Sequence, residues 1–293
     1  MQFHVLASGS SGNACVLDVG GFGLLLDFGL SPRQLAPRMQ RLRVAWPRID
    51  AALLTHTHTD HWQASTLAHL AKLKIPVYCH AEHAAALAPA SRAHAALSAA
   101  GLLRCYAPGQ KIVLHSRCAL APIAVSHDGC ATCAFRLEGQ SRGAAWAVGY
   151  ATDLGCWTEQ IARHLADVDL LALEFNHDVD LQLQSGRHPL LIRRVLSDAG
   201  HLSNAQAADL LARVITLSAP GRVKQLVQLH LSQDCNRPEL AQAAAGGVLK
   251  RLGVALSIHT AVQGKAGPTI RLKTAPGMGD PFTQPMLAFG EDG

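Results

Sequence analysis

The sequence lacks the features that place a protein in or across a membrane. No apolar run reaches the roughly 18 residues that a spanning helix needs. The first residues, Met-Gln-Phe-His, have neither the basic start nor the apolar core of a signal peptide. We therefore expect a cytoplasmic protein that makes no membrane contact.

Cysteine is too sparse for a disulfide-stabilised scaffold. Eight cysteines in 293 residues form no dense framework, which is typical of reduced thiols in a reducing compartment. Cys130 and Cys133 form a single CxxC. Without a second pair, this motif favours two small strand residues over a zinc or redox site, although its position just after His127 leaves both interpretations open.

Charge is also limited. With 49% hydrophobic and 16% charged residues, the composition indicates a globular chain rather than a disordered one. The length allows one large α/β domain or two small ones. A net charge of +5 permits a polyanionic substrate without requiring one.

Histidine, by contrast, is concentrated in one place. Residues 56–61 read His-Thr-His-Thr-Asp-His and follow the apolar run 49–54, which predicts a buried strand. On an extended segment, His56 and His58 point to the same side and could share a cation, while Asp60 and His61 could reach a second one. These donors suit zinc, manganese or iron. The alternative is a polar loop of helix-capping residues.

Two more candidate ligands follow predicted strands. His127 comes directly after the strand predicted at 119–126, at the kind of strand end where α/β folds bind ligands. Asp153 follows the strand predicted at 144–151, and one carboxylate there could bridge two cations. Asp153 could instead cap a helix predicted at 157–166.

The remaining pattern predicts a mixed α/β layer fold. Strands and helices alternate in two similar halves, residues 1–126 and 127–265. The alanine-rich stretch 81–100 predicts a helix interrupted at Pro89. Arg187, His188, Arg193 and Arg194 fall on a predicted helix, where they could contact phosphates or form a solvated face.

The histidine motif after a hydrophobic strand resembles the metallo-β-lactamase superfamily. Three other segments narrow the resemblance to the YycJ (WalJ) branch of bacterial nucleases: residues 6–13 (LASGSSGN), 174–178 (EFNHD) and 200–204 (GHLSN). The resemblance covers residues 1–265. It implies one αββα domain of two sheets flanked by helices. The segment 266–293, with a short strand predicted at 269–272 and proline- and glycine-rich from residue 275, is expected to be a partly flexible tail.

The resemblance also implies a complete site. His230, after the strand predicted at 223–229, becomes the late histidine ligand, and Asp27 would orient a ligand ring unless it is a simple turn residue. The expected ligands are His56, His58 and His127 for one cation, Asp60, His61 and His230 for the other, and Asp153 for both. Asp60 and His201 are the catalytic candidates, His201 holding a phosphate or donating a proton unless it only packs behind a helix cap. Substrate candidates are Ser8, Ser10, Ser11, Asn13 and Ser203, although residues 8–13 could be a plain hairpin turn.

We therefore expect a phosphodiesterase that uses two divalent cations and a metal-bound hydroxide. The expected cations are zinc or manganese, and iron is a third possibility. By resemblance the protein is a DNA exonuclease acting from 5′ to 3′, with nucleic acid as substrate and repair proteins as candidate partners. Alternatives are a small-molecule metallohydrolase (thioesterase, lactonase or cyclic phosphodiesterase) and a metal-dependent binding protein without turnover. Two features bear on how far the resemblance extends. The segment Gly129 to Cys133 differs from the proline-glycine loop that relatives have after this histidine. The short interval between Asp153 and His230 leaves no room for an inserted β-CASP domain.

Overall fold

Two mixed β-sheets form the centre of the molecule. The computed structural model describes residues 1–141 and 144–272, and in these ranges each sheet has seven strands. The first sheet contains β1 (Gln2–Ala7), β2 (Ala14–Val19), β3 (Phe22–Leu26), β4 (Ala51–Leu53), β5 (Val77–His80), β6 (Leu103–Tyr106) and β14 (Thr269–Arg271). The second contains β7 (Ile112–His115), β8 (Cys118–Val125), β9 (Thr132–Ser141), β10 (Ala144–Ala151), β11 (Leu170–Glu174), β12 (Gln225–Leu229) and β13 (Ser257–Thr260).

The two sheets share a pattern of pairing. The first runs in the order β14-β1-β2-β3-β4-β5-β6 and the second in the order β13-β12-β11-β10-β9-β8-β7. In each, antiparallel strands at one side continue into four parallel strands, β3 to β6 and β10 to β13. The parallel strands are almost continuously apolar because both of their faces are covered.

Helices cover the outer faces of both sheets. The described helices are α1 (Pro32–Arg41), α2 (Ala64–Lys72), α3 (Ala81–Ala90), α4 (Arg92–Ala99), α5 (Glu159–His164), α6 (Val179–Leu183), α7 (Pro189–Val195), α8 (Asn204–Leu217) and α9 (Pro238–Leu252). A core that includes Phe3, Leu24, Phe135 and Trp146 fills the space between the sheets. Helices α1 to α4 pack on the first sheet, and α5, α8 and α9 on the second. The αββα architecture expected from the resemblance is confirmed.

The division into halves differs from the prediction. The chain passes from the first sheet to the second between Tyr106 and Ile112 rather than at residue 126, and β14 returns to pair with β1. The second sheet therefore begins with two strands that were assigned to the first half. Strand β14 lies beyond residue 265, where a short strand was predicted, and its pairing with β1 adds this segment to the first sheet. Residues 273–293 of that segment lie outside the described residues.

Four local features also differ. The break in residues 81–100 lies at Ser91, which is extended and whose hydroxyl accepts a hydrogen bond from Ala93 N, while Pro89 stays inside the last turn of α3. Strand β9 and helices α1 and α6 were not predicted. Helix α1 carried a signal, since Ser31, Pro32 and Gln34 form a capping box with proline at the first turn. Among the described residues, no helix is both long and apolar enough to cross a membrane.

Candidate metal centre

The candidate ligands all lie at one edge of the sandwich. His56, His58, Asp60 and His61 occupy the loop after β4, and the other three follow β8, β10 and β12. Because the parallel strands of each sheet end at the same edge, these loops meet there. The seven residues predicted from the sequence are brought together.

Among the described residues, donor atoms at this edge form four overlapping groups, one of which also includes Glu174 and His201, and two of the groups consist of three candidate ligands other than Asp153. In the imidazole cluster (His56, His58, His127) the ligand atoms lie within 4.8 Å of one another, and His127 Nε2 is 3.3 Å from His58 Nδ1. The atoms of the mixed cluster (Asp60, His61, His230) are equally close, and His230 Nε2 is 3.2 Å from Asp60 Oδ2.

Asp153 lies between the two clusters. Its Oδ2 is 3.0 Å from His61 Nε2, and its Oδ1 is 3.8 Å from His127 Nε2 and 3.4 Å from His230 Nε2. The side chain is almost fully buried. Oδ2 therefore lies near the mixed cluster, and Oδ1 lies near both clusters. A ligand that bridges two cations requires this placement.

The donor set fits divalent cations. Five imidazoles and two carboxylates suit zinc, manganese or iron. The His56 Nε2 atom is buried without a hydrogen-bond partner in the described structure, although a buried polar nitrogen is normally satisfied. A cation among these donors would satisfy it.

The second ring nitrogen faces oxygen in four of the five histidines, whereas His230 Nδ1 lies 3.2 Å from the amide nitrogen of Asn176 and 3.4 Å from Glu174 Oε1. His127 Nδ1 donates to Gly200 O at 2.8 Å and His61 Nδ1 to Asp27 Oδ2 at 2.9 Å. His56 Nδ1 lies 3.0 Å from Thr55 Oγ1, and His58 Nε2 lies 3.7 Å from Asp128 Oδ1. Such partners fix the tautomer and leave the other nitrogen free as a ligand.

Asp27 is the most enclosed of these partners. Its carboxylate is fully buried and accepts hydrogen bonds from Thr55 N at 2.8 Å and from the Tyr150 hydroxyl at 3.2 Å, besides His61. The orienting role that the resemblance implied for Asp27 therefore has its contacts in the structure.

Backbone strain is concentrated at this edge. Asp27, Asp153 and His230 have φ values of 56°, 60° and 56°, in the left-handed region that residues with a side chain rarely adopt. Each costs about 1–3 kcal/mol. Three such residues at one site indicate that the surrounding packing holds the donors in place.

Two positions near the site have no room for a side chain because other atoms lie too close to the backbone. A Cβ on Gly29 would lie 1.7 Å from Asp60 O, and a Cβ on Gly129 would lie 2.9 Å from His58 Nε2. The segment Gly129 to Cys133 can therefore approach His58 closely because residue 129 has no side chain. Cys133 lies buried in β9, whereas Cys130 precedes that strand, and neither belongs to a potential metal-binding group among the described residues.

Glu174 is a site residue that was not assigned a role from the sequence. Its buried carboxylate accepts hydrogen bonds from His201 Nδ1 at 2.8 Å, Leu154 N at 2.9 Å and Leu202 N at 3.2 Å. A carboxylate at the end of β11 was the available signal. The neighbouring residues do not take this role, because Asp178 caps α6 and the ring nitrogens of His177 have no described partner.

The candidate substrate residues fall into different environments. The buried Ser8 hydroxyl accepts a hydrogen bond from His230 N at 2.7 Å, and Asn13 Nδ2 donates to Asp60 Oδ2 at 3.2 Å. These two residues hold candidate ligands. Ser10 lines the cavity, and Ser11 is exposed. Ser203 is buried and its hydroxyl caps α8, so that it has structural partners already.

The two clusters differ in their electrostatics before any cation binds. Burial lowers the pKa values of His56, His58 and His127, and neighbouring imidazolium charge lowers them further, while Asp153 opposes the shift without reversing it. Burial also disfavours a charged His61, but Asp153 and Asp27 outweigh it and raise its pKa to about 10. The pKa of His230 is likewise raised well above its usual value, by Asp153, Asp60 and Glu174 against the effect of burial.

A cavity of about 340 Å³ opens over the clusters. It is lined by Ser10, His58, Asp60, Asp128, Asp153, Asn176, Arg187, Leu191, Arg194, Val195, Gly200, His201, His230 and Ser232. A larger cavity of about 990 Å³, lined in part by Arg48, Arg117 and Arg271, lies at the opposite end of the sandwich and contains none of the candidate ligands. The smaller cavity is therefore the candidate active site.

The fold and this site define a metal-dependent hydrolase of the α/β class. A family model described as the Beta-lactamase superfamily domain matches residues 23–230. The exodeoxyribonuclease YycJ of Bacillus anthracis is 30% identical over 271 residues, which cover 88% of this chain and 94% of that protein. The exodeoxyribonuclease WalJ of Streptococcus pneumoniae strain D39 is 29% identical over 248 residues, covering 82% and 85%. The chain belongs to the metallo-β-lactamase superfamily, in its YycJ-like branch.

Solved structures agree on the fold. Zinc-bound PqqB from Methylobacterium extorquens superposes with a TM-score of 0.64 at 17% identity, over 93% of this chain and 100% of that one. The short form of human tRNase Z gives a TM-score of 0.58 at 16% identity, with the same coverage. A diphosphatase from the PhnP family gives 0.60 at 16% identity, over 92% and 97%. At these identities the likeness concerns the architecture alone.

Proposed function

We propose that this protein is a DNA exonuclease that hydrolyses phosphodiester bonds with two divalent cations. The observation that carries the proposal is the placement of Asp153 between two clusters of three donors each. Two adjacent cations, when bound, lower the pKa of water and stabilise the attacking and departing oxygens of an in-line displacement. The polarity that the resemblance implies is 5′ to 3′.

The residues divide this work between them. His56, His58 and His127 would hold one cation, Asp60, His61 and His230 the other, and Asp153 both. Asp27 fixes the ring of His61 through the 2.9 Å hydrogen bond, and Glu174 approaches His230 Nδ1 at 3.4 Å. These contacts leave Nε2 of both histidines directed at the cluster.

His201 is the proposed phosphate contact or proton donor. Its Nδ1 donates to Glu174, so Nε2 is the nitrogen available to the cavity, which His201 lines. A proton on Nε2 could pass to the leaving oxygen or form a hydrogen bond to a phosphate oxygen. The carboxylate of Glu174 would stabilise the positive charge on the ring.

The proposal that DNA is the substrate is supported by the relatives and by the charge of the protein rather than by the geometry of the metal centre. Both curated relatives are named exodeoxyribonucleases. The net charge of +5 and the guanidinium groups of Arg187 and Arg194 at the cavity are compatible with a polyanion. Zinc or manganese are the proposed cations, and PqqB was solved with zinc. A cytoplasmic location and recruitment by repair proteins remain predictions.

A small-molecule metallohydrolase is the second candidate. The cavity volume of about 340 Å³ lies near the lower end of the range for small-ligand pockets, roughly 300–1,000 Å³. A cavity of this size would also accept one nucleotide of a strand. Substrate preference must therefore be measured.

The decisive assay uses a 5′-phosphorylated, 3′-labelled DNA oligonucleotide with manganese, with zinc and with chelator. We expect cation-dependent shortening that is lost in His58→Ala and retained in the matched control His94→Ala, whose histidine lies on α4 away from the site. If purified protein with bound cations leaves the DNA intact, the nuclease proposal is wrong. Thioesters, lactones and cyclic phosphodiesters are then the substrates to test.

A further inference from the structure

Exposed apolar side chains are concentrated beside the candidate active site. Among the described residues ten large hydrophobic side chains are exposed, and five of them fall within residues 179–196. Leu190, on α7, is the most exposed of all at 69%. A concentration of this kind commonly marks an interaction surface.

Arginines alternate with leucines on α7. Leu190 precedes Arg193 by three residues and Arg194 by four, and Leu191 precedes Arg194 by three. Residues at these spacings are neighbours on a helix surface. Leucine and guanidinium groups therefore lie side by side along this face of α7.

The charges of these arginines are not equally available. Arg187 pairs with Asp234 at 2.7 Å, and Arg194 pairs with Asp128. In the described part of the chain, the exposed side chain of Arg193 has no ion-pair or hydrogen-bond partner. Helix α7 itself contains no carboxylate. Arg193 thus supplies positive charge that no described partner neutralises.

The same helix borders the catalytic cavity. Arg187, Leu191, Arg194 and Val195 line it, together with His201. A polymer whose terminal unit occupies this cavity and leaves it on this side must pass along α7. The exposed leucines and Arg193 then meet the units next to the reacting one.

We propose that the α7 face, defined as Leu190, Leu191 and Arg193, binds the single-stranded part of the DNA next to the scissile bond. The inference rests on the proposed nuclease function and adds the substrate form and the residues that hold it. Unpaired bases expose apolar faces that can contact Leu190 and Leu191, while Arg193 contacts a phosphate. In a duplex the bases are stacked inside, and the leucines would meet only sugar and phosphate.

Binding without cleavage tests the proposal. Anisotropy of a fluorescein-labelled oligothymidylate, measured in chelator, gives Kd for the wild type, for Arg193→Ala and for Leu190→Ala with Arg193→Ala. We expect Kd to rise about tenfold in the double variant, because a base contact and a phosphate contact are both lost. In Arg193→Ala the slope of log K against log salt should fall by about 0.7.

A matched pair on another helix provides the control. Leu252→Ala with Arg251→Ala removes an exposed leucine and an exposed arginine from the end of α9, and should leave Kd for the oligonucleotide unchanged. Thermal unfolding verifies that all variants are folded. A blunt duplex of equal length should bind more weakly than the single strand and lose less affinity in the α7 variant.

The α7 proposal is overturned if the α7 variant and the control bind single-stranded DNA equally well, or if single strand and duplex are weakened alike. An α7 face that instead docks a protein gives the first of these results. Because cleavage plays no part in the assay, the two proposals fail separately. If the wild type binds DNA through α7 but never cleaves it, the nuclease proposal is wrong. If the wild type cleaves DNA and the α7 variant binds it as tightly as the wild type, the α7 proposal is wrong.

Discussion

The imidazole cluster and the mixed cluster are neighbours with opposite electrostatic environments. His61 and His230 are buried among Asp27, Asp60, Asp153 and Glu174, which raise their pKa values. The donors of the imidazole cluster are histidines alone, and burial lowers the pKa values of all three rings. The mixed cluster is therefore rich in carboxylate and retains protons on its histidines, whereas the histidines of the imidazole cluster are neutral.

This difference has consequences for cation binding. Carboxylate donors suit manganese, and imidazole donors suit zinc. A cation entering the mixed cluster must displace protons that the carboxylates retain on His61 and His230, whereas the imidazole cluster is already neutral. We expect the two positions to differ in affinity, metal preference and pH dependence.

The largest effect should come from Asp153→Asn, which removes the carboxylate shared by both clusters. An amide cannot supply two anionic oxygens, and loss of several kcal/mol of electrostatic stabilisation corresponds to a fall of about 10³-fold in the rate of DNA hydrolysis. Initial rates and the amount of metal bound per chain measure the change. A rate within tenfold of wild type, with two cations still bound, would show that Asp153 does not bridge them.

Removing one orienting carboxylate from each cluster separates the two positions. Asp27→Asn should weaken cation binding at the mixed cluster by about 10–100-fold, because the buried His61 loses its charged partner. Asp128→Asn should have a smaller effect at the imidazole cluster, since Asp128 is 3.7 Å from His58 Nε2 and 30% exposed. Competition with a chelating dye measures both affinities. The reverse order would contradict the contrast between a cluster rich in carboxylate and a cluster of neutral imidazoles.

His177 provides a smaller test, next to the site but outside both clusters. Burial lowers its pKa to about 4, against 6.5 in the unfolded chain. Between these values the unfolded state binds more protons, so the free energy of unfolding decreases as pH falls below about 6.5. The contribution is at most about 3 kcal/mol at pH 4. Urea unfolding at pH 5 and pH 8 should show less acid sensitivity in His177→Asn, and an unchanged pH dependence would contradict this explanation.

The metal-binding loop was predictable from sequence because its ligands are local. Residues 56–61 place four candidate donors in one loop, His127 and Asp153 were selected because each follows a strand, and His230 was added by the resemblance. Glu174 also ends a strand, but its role depends on His201, a contact across 27 residues that no local pattern reveals. The resemblance supplied the αββα layers that alternation alone left open.

The errors in the fold have similar causes. Strand β9 begins within the segment Gly129 to Cys133, which differs from relatives. The glycine and cysteines of this segment do not show the alternation of apolar and polar residues that indicates a strand. The change of sheet between Tyr106 and Ile112 depends on pairing between distant strands, as does the return of β14 to β1. Pro89 was assigned a break because proline usually disrupts a helix, yet the cap at Ser91 decided the boundary.

Anomalous diffraction from crystals grown with manganese tests the central claim most directly. We expect two peaks about 3.5–4 Å apart, one among His56, His58 and His127 and one among Asp60, His61 and His230, with Asp153 between them. In His58→Ala the peak at the imidazole cluster should weaken while the peak at the mixed cluster persists. A single peak in the wild type, or peaks that do not flank Asp153, would contradict the two-cation site.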